Sequence, residues 1–576
     1  MIEALSPRTE SPRKTSPKHK NAKMDLLNNI SSWTGISASA LYTLLTPILA
    51  ITTILTLTRL WTTLQYHLAL RTFTQPSRVP NGPKLVQSPQ IPYTIPWLGN
   101  ALSFLNMTPG GYYLSLFTFY PRSNGILTIL MGGRKTHVVF SPAAVSALFK
   151  AKTPSRDFFE RELFSKVFEM PEDQIDNAEK GKHFEVEMNA KYMTNFDRVN
   201  ELTSKFTEVL DEVLSKDAKE IVQLEEIGLY EWLRDRMFTA SVTALMGEKL
   251  LQMYPNWCED FFAWDNDFLG FFFGIPPILQ RKADQRRKRI YASLEKWSTE
   301  MLRLSGDEPV DPEGPAWEPF YGSRLNRARQ LDYRNRGLNA RSGARLDAGI
   351  TFGLATNVIP VTAWMLFNIV SPLAEPTLLP RVLAEIDEAR KPDGSFDVIK
   401  LVNQPLLQSI WIETLRLYSD LLVVRSLPED IIIPLDEDGK LQVQLRKGDN
   451  IFAPSWIAQH DDSWSAEVPW DVFDANRFLV KDPKTGTASF VFSKPGGKFF
   501  PFGGGKTICP GRIFAKQEAL AALAMVLSRF EFDVKGFVDE NKEPMQDFPG
   551  VKKAYPGSGA LSPGGDLKVK IKRRVQ

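Results

Sequence analysis

Between Leu26 and Thr58 the chain carries no Asp, Glu, Lys or Arg. The densest part, SALYTLLTPILAITTILTLT (Ser39–Thr58), is long enough to cross the hydrocarbon core of a bilayer as a helix. Residues 36–60 are therefore expected to form a transmembrane helix, kinked at Pro47 in a way that membrane helices tolerate. A cleaved signal peptide fits less well, because the run starts late and lacks a small-x-small cleavage site. Residues 1–25 are polar, basic and proline-containing, and read as disordered. Residues 61–100 hold prolines at 76, 80, 83, 89, 92 and 96, which predict a stiff, extended connector. Basic residues flank the apolar run on both sides, so charge does not orient it. Asn29-Ile30-Ser31 is a glycosylation sequon that matters only if that end is luminal.

From residue 101 to 576 the pattern predicts one mainly α domain with a small β-rich part. VNELTSKFTEVLDEVLSK (Val199–Lys216) repeats its apolar positions at helical spacing, and QRRKRIYASLEKWSTEMLRL predicts another helix with a basic start. GILTILMGGRKTHVVFS and PEDIIIPLDEDGKLQVQLRKGDNIFAPS alternate over short runs and predict hairpins. Residues 304–347, charged and rich in Gly and Arg, are expected to be an ordered surface insertion or a long loop. The aromatic run FFAWDNDFLGFFFGIPPIL (Phe261–Leu279) suits either core or an apolar mouth dipping into a bilayer, with the basic QRRKR beside lipid headgroups. Ala348–Ala374 has no charged residue, but its central position, its Thr356-Asn357 pair and its charged flanks suit a core helix. Pro360 cannot donate to the Thr356 carbonyl, so a bend is expected at Thr356–Pro360, leaving a carbonyl beside the Asn357 amide. Such a bend is a place for a small polar ligand.

Composition narrows the chemistry. The 576 residues are 43% hydrophobic and 24% charged, and the net charge of +3 gives no reason to expect a nucleic-acid partner. Two cysteines, Cys258 and Cys509, exclude a disulfide framework and a CxxC zinc site, and the five histidines show no metal spacing. Cys258, among aromatics in WCEDFF, reads as a small buried apolar residue. Cys509 has a different setting, in PFGGGKTICPGRIFAKQEALAALAMVL. This is neither a P-loop nor a dinucleotide fingerprint; the glycine-rich loop delivers a cysteine to a helix start, where N–H groups and the helix dipole favour a thiolate. Upstream, Glu413 and Arg416 sit three apart on a predicted helix among Ile410, Ile412, Leu415 and Leu417. A buried pair there would need further partners, and Arg477 in PWDVFDANRF is a candidate.

Together these segments resemble the cytochrome P450 family of haem-thiolate monooxygenases. Glu413-Thr-Leu-Arg416 is similar to the family's ExxR, the segment around Arg477 to its aromatic-Pro-Arg stretch, and Phe502–Gly511 to its FxxGxxxCxG loop, with Ala515 in the usual small position. Ile95-Pro-Trp-Leu-Gly-Asn100 resembles the proline-rich entry. The resemblance implies the P450 fold behind a membrane anchor, haem b, and Cys509 as the iron ligand, whose thiolate pushes electron density toward O–O cleavage. It further implies haem-side roles for Phe502, Gly505 and Gly511, and a Glu413–Arg416–Arg477 triad. It implies insertion of one oxygen atom from O2 into an apolar small molecule, with electrons from a separate NADPH-cytochrome P450 reductase. Lys494, Lys498 and Lys506 would meet an acidic electron donor, or form a solvated face. The single-pass anchor would be in the endoplasmic reticulum, with the catalytic domain cytosolic.

The match departs from the family at the helix bend. The usual acid–alcohol pair is replaced by Thr356-Asn357, which resembles the branch containing sterol 7α-hydroxylases, sterol 12α-hydroxylase and prostacyclin synthase. An amide cannot act as a general acid as a carboxylic acid would, so Thr356 and Asn357 are carried as catalytic candidates with a changed chemistry. That departure keeps open a reductase-independent isomerase or dehydratase of a peroxide-like substrate, besides a non-catalytic haem or lipid binder. Thr507 stands where the family has a basic residue, so Arg425 is the candidate propionate partner; Lys182 and His183 lie where a Trp-x-x-x-Arg segment is expected. More loosely, the body resembles fungal enzymes of secondary-metabolite biosynthesis.

Overall fold

A computed structural model describes residues 38–574, apart from 76–81, 106–107, 122–123, 221–225, 306–309, 494–495 and 555–556. The basic N-terminus, the Asn29 sequon and Lys494 lie outside the described residues, as do the side chains of Lys182 and His183.

The first apolar run is a helix, α1 (Ala38–Thr74), which continues well beyond residue 60. Ile48, Leu49, Ile51, Ile54, Leu57 and Leu60 are all exposed. Its C-terminal part docks on the body: Tyr66 and Ala69 are buried, and Arg59 Nη1 donates to the Pro92 carbonyl at 2.7 Å. The expected connector is therefore shorter than 61–100. Its later part is not a free spacer, because β1 (Lys84–Val86) joins a sheet and Ile91 N–H donates to Thr128 O at 2.8 Å.

Next come β2 (Ile126–Met131) and β3 (Arg134–Val139), the expected antiparallel hairpin. Helix α2 (Pro142–Lys150) follows, with proline in its first turn and Ser141 Oγ capping Ala144 N–H. The helical body contains α3 (Phe196–Glu220), α4 (Leu229–Met246), α5 (Trp257–Phe272) and α6 (Arg281–Leu304). The aromatic run divides between core and surface. Phe261 and Trp264 of α5 are fully buried, whereas Ile278 and Leu279, past the turn at Gly274, are 67% and 76% exposed.

The expectation for residues 304–347 needs correction. They include α7 (Arg324–Asn335) and the first two turns of α8 (Ala340–Ala355), capped by Ser323 and Asn339. Charge misled here because an arginine can be buried against backbone: Arg327 is 4% exposed and donates to the carbonyls of Asp311 and Pro315. The uncharged run continues as α9 (Val358–Val370), so the central helix breaks at Thr356–Asn357, where the proline predicted a bend. It is a core helix: Ile359, Ala363, Trp364, Met365 and Phe367 are fully buried.

Helix α10 (Pro405–Leu417) leads directly into β4 (Ser419–Ser426), then β5 (Ile431–Pro434), β6 (Leu441–Leu445) and β7 (Asn450–Pro454). After the cysteine loop come α11 (Arg512–Arg529), β8 (Phe530–Asp539), the short β9 (Ser558–Ala560) and β10 (Gly565–Arg573). The main sheet runs β9-β4-β7-β3-β2, and β1-β6-β5 form a second sheet. α9 packs against α4, α10 and α11, so the helix bend, the triad helix and the cysteine helix share one core.

Within that core Glu518 of α11 is 1% exposed, and its only described hydrogen-bond partner is the Ser241 hydroxyl. Burial pushes its carboxyl up to about 8. From about pH 4.3, where the unfolded chain ionises, up to about 8, the folded state holds the extra proton. Stability should therefore fall as pH rises through that window. Glu518→Gln keeps an acceptor for Ser241 and removes the slope. Its melting temperature should exceed the wild-type value by several degrees near pH 8.5 and approach it near pH 5.5, which calorimetry at the two pH values would show.

Candidate active site

The loop before α11 is held by its own backbone. Cys509 N–H donates to Phe502 O at 2.9 Å, Gly503 N–H to Phe500 O at 2.9 Å, and Ile508 N–H to Gly505 O at 3.2 Å. These bonds fold Phe502–Gly511 back on itself, with Cys509 half-buried two residues before Gly511 closes onto the helix. Gly504 and Gly505 press against α2: a Cβ on Gly504 would strike the Phe149 ring, and one on Gly505, at φ 67°, the Phe149 carbonyl. Close approach to α2 thus explains these two glycines, beyond any role toward a ligand. Phe502 stacks on Trp411 of α10, with ring centroids 6.4 Å apart.

Burial pushes the Cys509 thiol up, while the N–H groups of Gly511 and Arg512 and the guanidiniums of Arg512 and Arg156 pull it down. The helix-start effect expected from sequence is present, but desolvation outweighs it. Cys258 differs: burial and the neighbouring Asp235 carboxylate push its thiol far up, as suits an inert thiol.

The triad forms as the spacing predicted. Glu413 and Arg416 are fully buried, with Arg416 Nε to Glu413 Oε2 at 2.8 Å and Nη2 to Oε1 at 2.9 Å. Arg477 Nε reaches Glu413 Oε1 at 2.9 Å. Further guanidinium hydrogens go to carbonyls: Arg416 to Gln459 and Trp470, Arg477 to Trp464, Val468, Pro469 and Val472. One carboxylate thereby ties α10 to the long irregular segment that leads to the cysteine loop.

Arg425 of β4 is 7% exposed and reaches the loop, donating to Gly504 O at 3.3 Å and to the Thr507 hydroxyl. Among the described residues it has no carboxylate within ion-pair distance, and burial holds its guanidinium down at about 10. Arg156, which sequence reasoning missed, acts electrostatically on both Arg425 and Cys509. It pairs with Glu160 at 3.0 Å, yet its Nε is buried without a partner. Nothing in PSRDFFERE distinguishes that arginine before folding.

At the bend, Thr356 Oγ donates to Phe352 O at 2.8 Å, and Asn357 Nδ2 donates to Thr356 Oγ at 3.3 Å. Asn357 Oδ1 accepts from Ala560 N–H at 3.0 Å.

Residues 350–557, which contain the bend, the triad and the cysteine loop, match the family model for cytochrome P450. The chain is 27% identical to the cytochrome P450 monooxygenase calL of Penicillium decumbens over 83% of this chain and 92% of that protein. It is 32% identical to the cholesterol 7-alpha-monooxygenase of Cricetulus griseus over 60% of this chain and 66% of that protein. The chain belongs to the cytochrome P450 family. The solved structure of a retinoic-acid-bound cyanobacterial CYP120A1 shares the fold, with TM-score 0.60, 19% identity, and coverage of 85% of this chain and all of that one. As a P450 monooxygenase the protein is an oxidoreductase, and the family implies a haem-thiolate iron cofactor. The residues present fit such a group: a half-buried thiol facing N–H groups, beside Arg425, a buried cation with no carboxylate at ion-pair distance among the described residues, and Arg156 with a buried Nε that bonds none of them. Haem carries two carboxylates that would answer those cations.

Proposed function

We propose that this P450 binds haem b through the Cys509 thiolate and oxygenates an apolar small molecule in secondary-metabolite biosynthesis. Haem iron supplies the oxygen activation and atom transfer. The chain supplies the rest. Gly511 and Arg512 N–H groups hold charge on Cys509, and Phe502 shields that side from water. Arg425 and Arg156 hold the propionates, and the Glu413–Arg416–Arg477 triad fixes the loop. Thr356 and Asn357 stand at the helix bend as the polar groups for a bound oxygen or water. The observation that carries the reading is the buried Arg425, which bonds the cysteine loop yet has no carboxylate within ion-pair distance among the described residues.

Electrons would come from a separate NADPH-cytochrome P450 reductase docking near the exposed Lys506. Lys498 is a weaker candidate contact, because its ammonium already pairs with Asp461. Natural-product chemistry is supported by the fungal relatives, which include the cytochrome P450 monooxygenase efuG of Hormonema carpetanum, 28% identical over 90% of that protein. We place the protein on the endoplasmic reticulum with a cytosolic body. The exposed apolar length of α1 would anchor it, and exposed Ile278 and Leu279 would touch the same surface. Phe273, next to that tip, and Tyr66 of α1 belong to one apolar cluster.

The test is the absorbance difference spectrum of the reduced protein with and without carbon monoxide, followed by turnover with and without NADPH and reductase. A red-shifted thiolate-type Soret band and reductase-dependent oxygenation are expected. A folded protein that takes up no haem would overturn the reading. Turnover of a peroxide substrate without NADPH would favour the isomerase chemistry that the missing acid at Asn357 leaves open.

A further inference from the structure

The short strand β9 is tied to the bent helix at two points on one helical face. Asn357 accepts the Ala560 N–H at 3.0 Å, and Trp364 Nε1, seven residues along, donates to Leu561 O at 2.7 Å. Trp364 is itself fixed by a parallel stack on Tyr418, with centroids 3.9 Å apart. From the other side, the fully buried Asp420 of β4, directly opposite Gly559, accepts the N–H groups of Gly110 and Gly557. Residues 557–561 are thus held by polar bonds from both neighbours.

This arrangement settles which end of the Asn357 amide faces which way. A backbone N–H can bond only the amide oxygen, never the NH2 group, so the Ala560 contact turns Oδ1 toward β9. Nδ2 is then left with one N–H to Thr356 Oγ at 3.3 Å and a second with no acceptor among the described residues. Gly559 is needed for this orientation. A Cβ there would lie 2.5 Å from Asn357 Oδ1, and its φ of 85° disfavours any other residue.

We propose that Gly559 and Ala560 are positioning residues that make Asn357 an N–H donor, not an acceptor, toward an oxygen or anion bound at the helix bend. This rests on the haem-site reading above. The donor would stabilise negative charge on a bound acceptor atom, but it would neither take up a proton nor relay one as a carboxyl does.

Full-length holoenzyme would be prepared as wild type, Asn357→Ala, Asn357→Asp, Gly559→Ala and the Gly559→Ala/Asn357→Ala pair. Amide hydrogen exchange at Ala560 reads the strand contact, and cyanide titration of the Soret band near pH 8 reads the donor. Asn357→Ala should speed Ala560 exchange and weaken cyanide, each by about tenfold. Asn357→Asp keeps the acceptor, so exchange should stay slow while cyanide weakens by about tenfold or more. Gly559→Ala should behave like Asn357→Ala, and adding it to Asn357→Ala should weaken cyanide little further, because the donor is already gone; only the backbone strain at φ 85° is added. Unchanged Ala560 exchange in Asn357→Ala overturns the strand contact. Wild-type cyanide affinity in Asn357→Asp overturns the donor role. Should Gly559→Ala fail to fold, the Asn357 variants carry both readouts. If wild type takes up no haem, the haem-site reading fails, while the exchange data still report the contact.

Discussion

Cys509→Ser is expected to abolish the thiolate-type Soret band of the reduced, carbon-monoxide-bound protein and to cut oxygenation by more than about a thousandfold, at least ~4 kcal/mol of barrier. Serine matches cysteine in shape, and the loop is held by backbone bonds from Cys509 N–H to Phe502 O and from Ile508 N–H to Gly505 O. The fold should therefore persist, with an unchanged circular dichroism spectrum and a melting temperature close to wild type in the haem-free protein. What is lost is the ligand. A hydroxyl is far harder to ionise than a thiol, and the N–H groups at Gly511 and Arg512 that help hold charge on sulfur cannot close that gap. A serine variant that kept the band and the turnover would remove Cys509 from the site.

Glu413→Ala is expected to destabilise the protein by about 3 to 5 kcal/mol, because it strands two guanidiniums in a dry interior. Arg416 and Glu413 are fully buried, and the Arg477 side chain is 4% exposed. Truncation leaves cations whose carbonyl partners cannot neutralise them. The triad also links α10 to the segment carrying the cysteine loop, so haem retention should fall together with the melting temperature. Glu413→Gln should fall between the two, since it keeps one acceptor and loses the charge. Denaturant unfolding of the three proteins, with the Soret absorbance followed in parallel, would check both effects. An alanine variant with wild-type stability would mean that the ion pairs contribute little over an apolar replacement.

Short-range signals accounted for the hairpin Ile126–Val139, the break at Thr356–Asn357 and the Glu413–Arg416 pair, each of which is written within a few residues of chain. Charge content was a poorer guide. Residues 310–347 contain one helix and the start of another, with Arg327 and Asp347 buried: backbone carbonyls accept from Arg327 and Gln330 donates to Asp347 Oδ2, and no local rule counts those partners. The helix α1 outran its expected end because residues 61–74 bury Tyr66 and Ala69 against the body, which adds packing to an otherwise indifferent segment.

The sequence by itself determined the family, the cysteine and its glycine loop, the carboxylate with its two arginines, and the apolar N-terminal helix. These depend on residue identity and spacing along one short segment at a time. Only the tertiary structure decided that Arg156 joins Arg425 beside Cys509, and that Asn357 spends its oxygen on Ala560, 203 residues away. Such contacts are made when sheet register and helix packing bring remote backbone within 3 Å, and a hydrogen bond at that range leaves no periodicity in the chain.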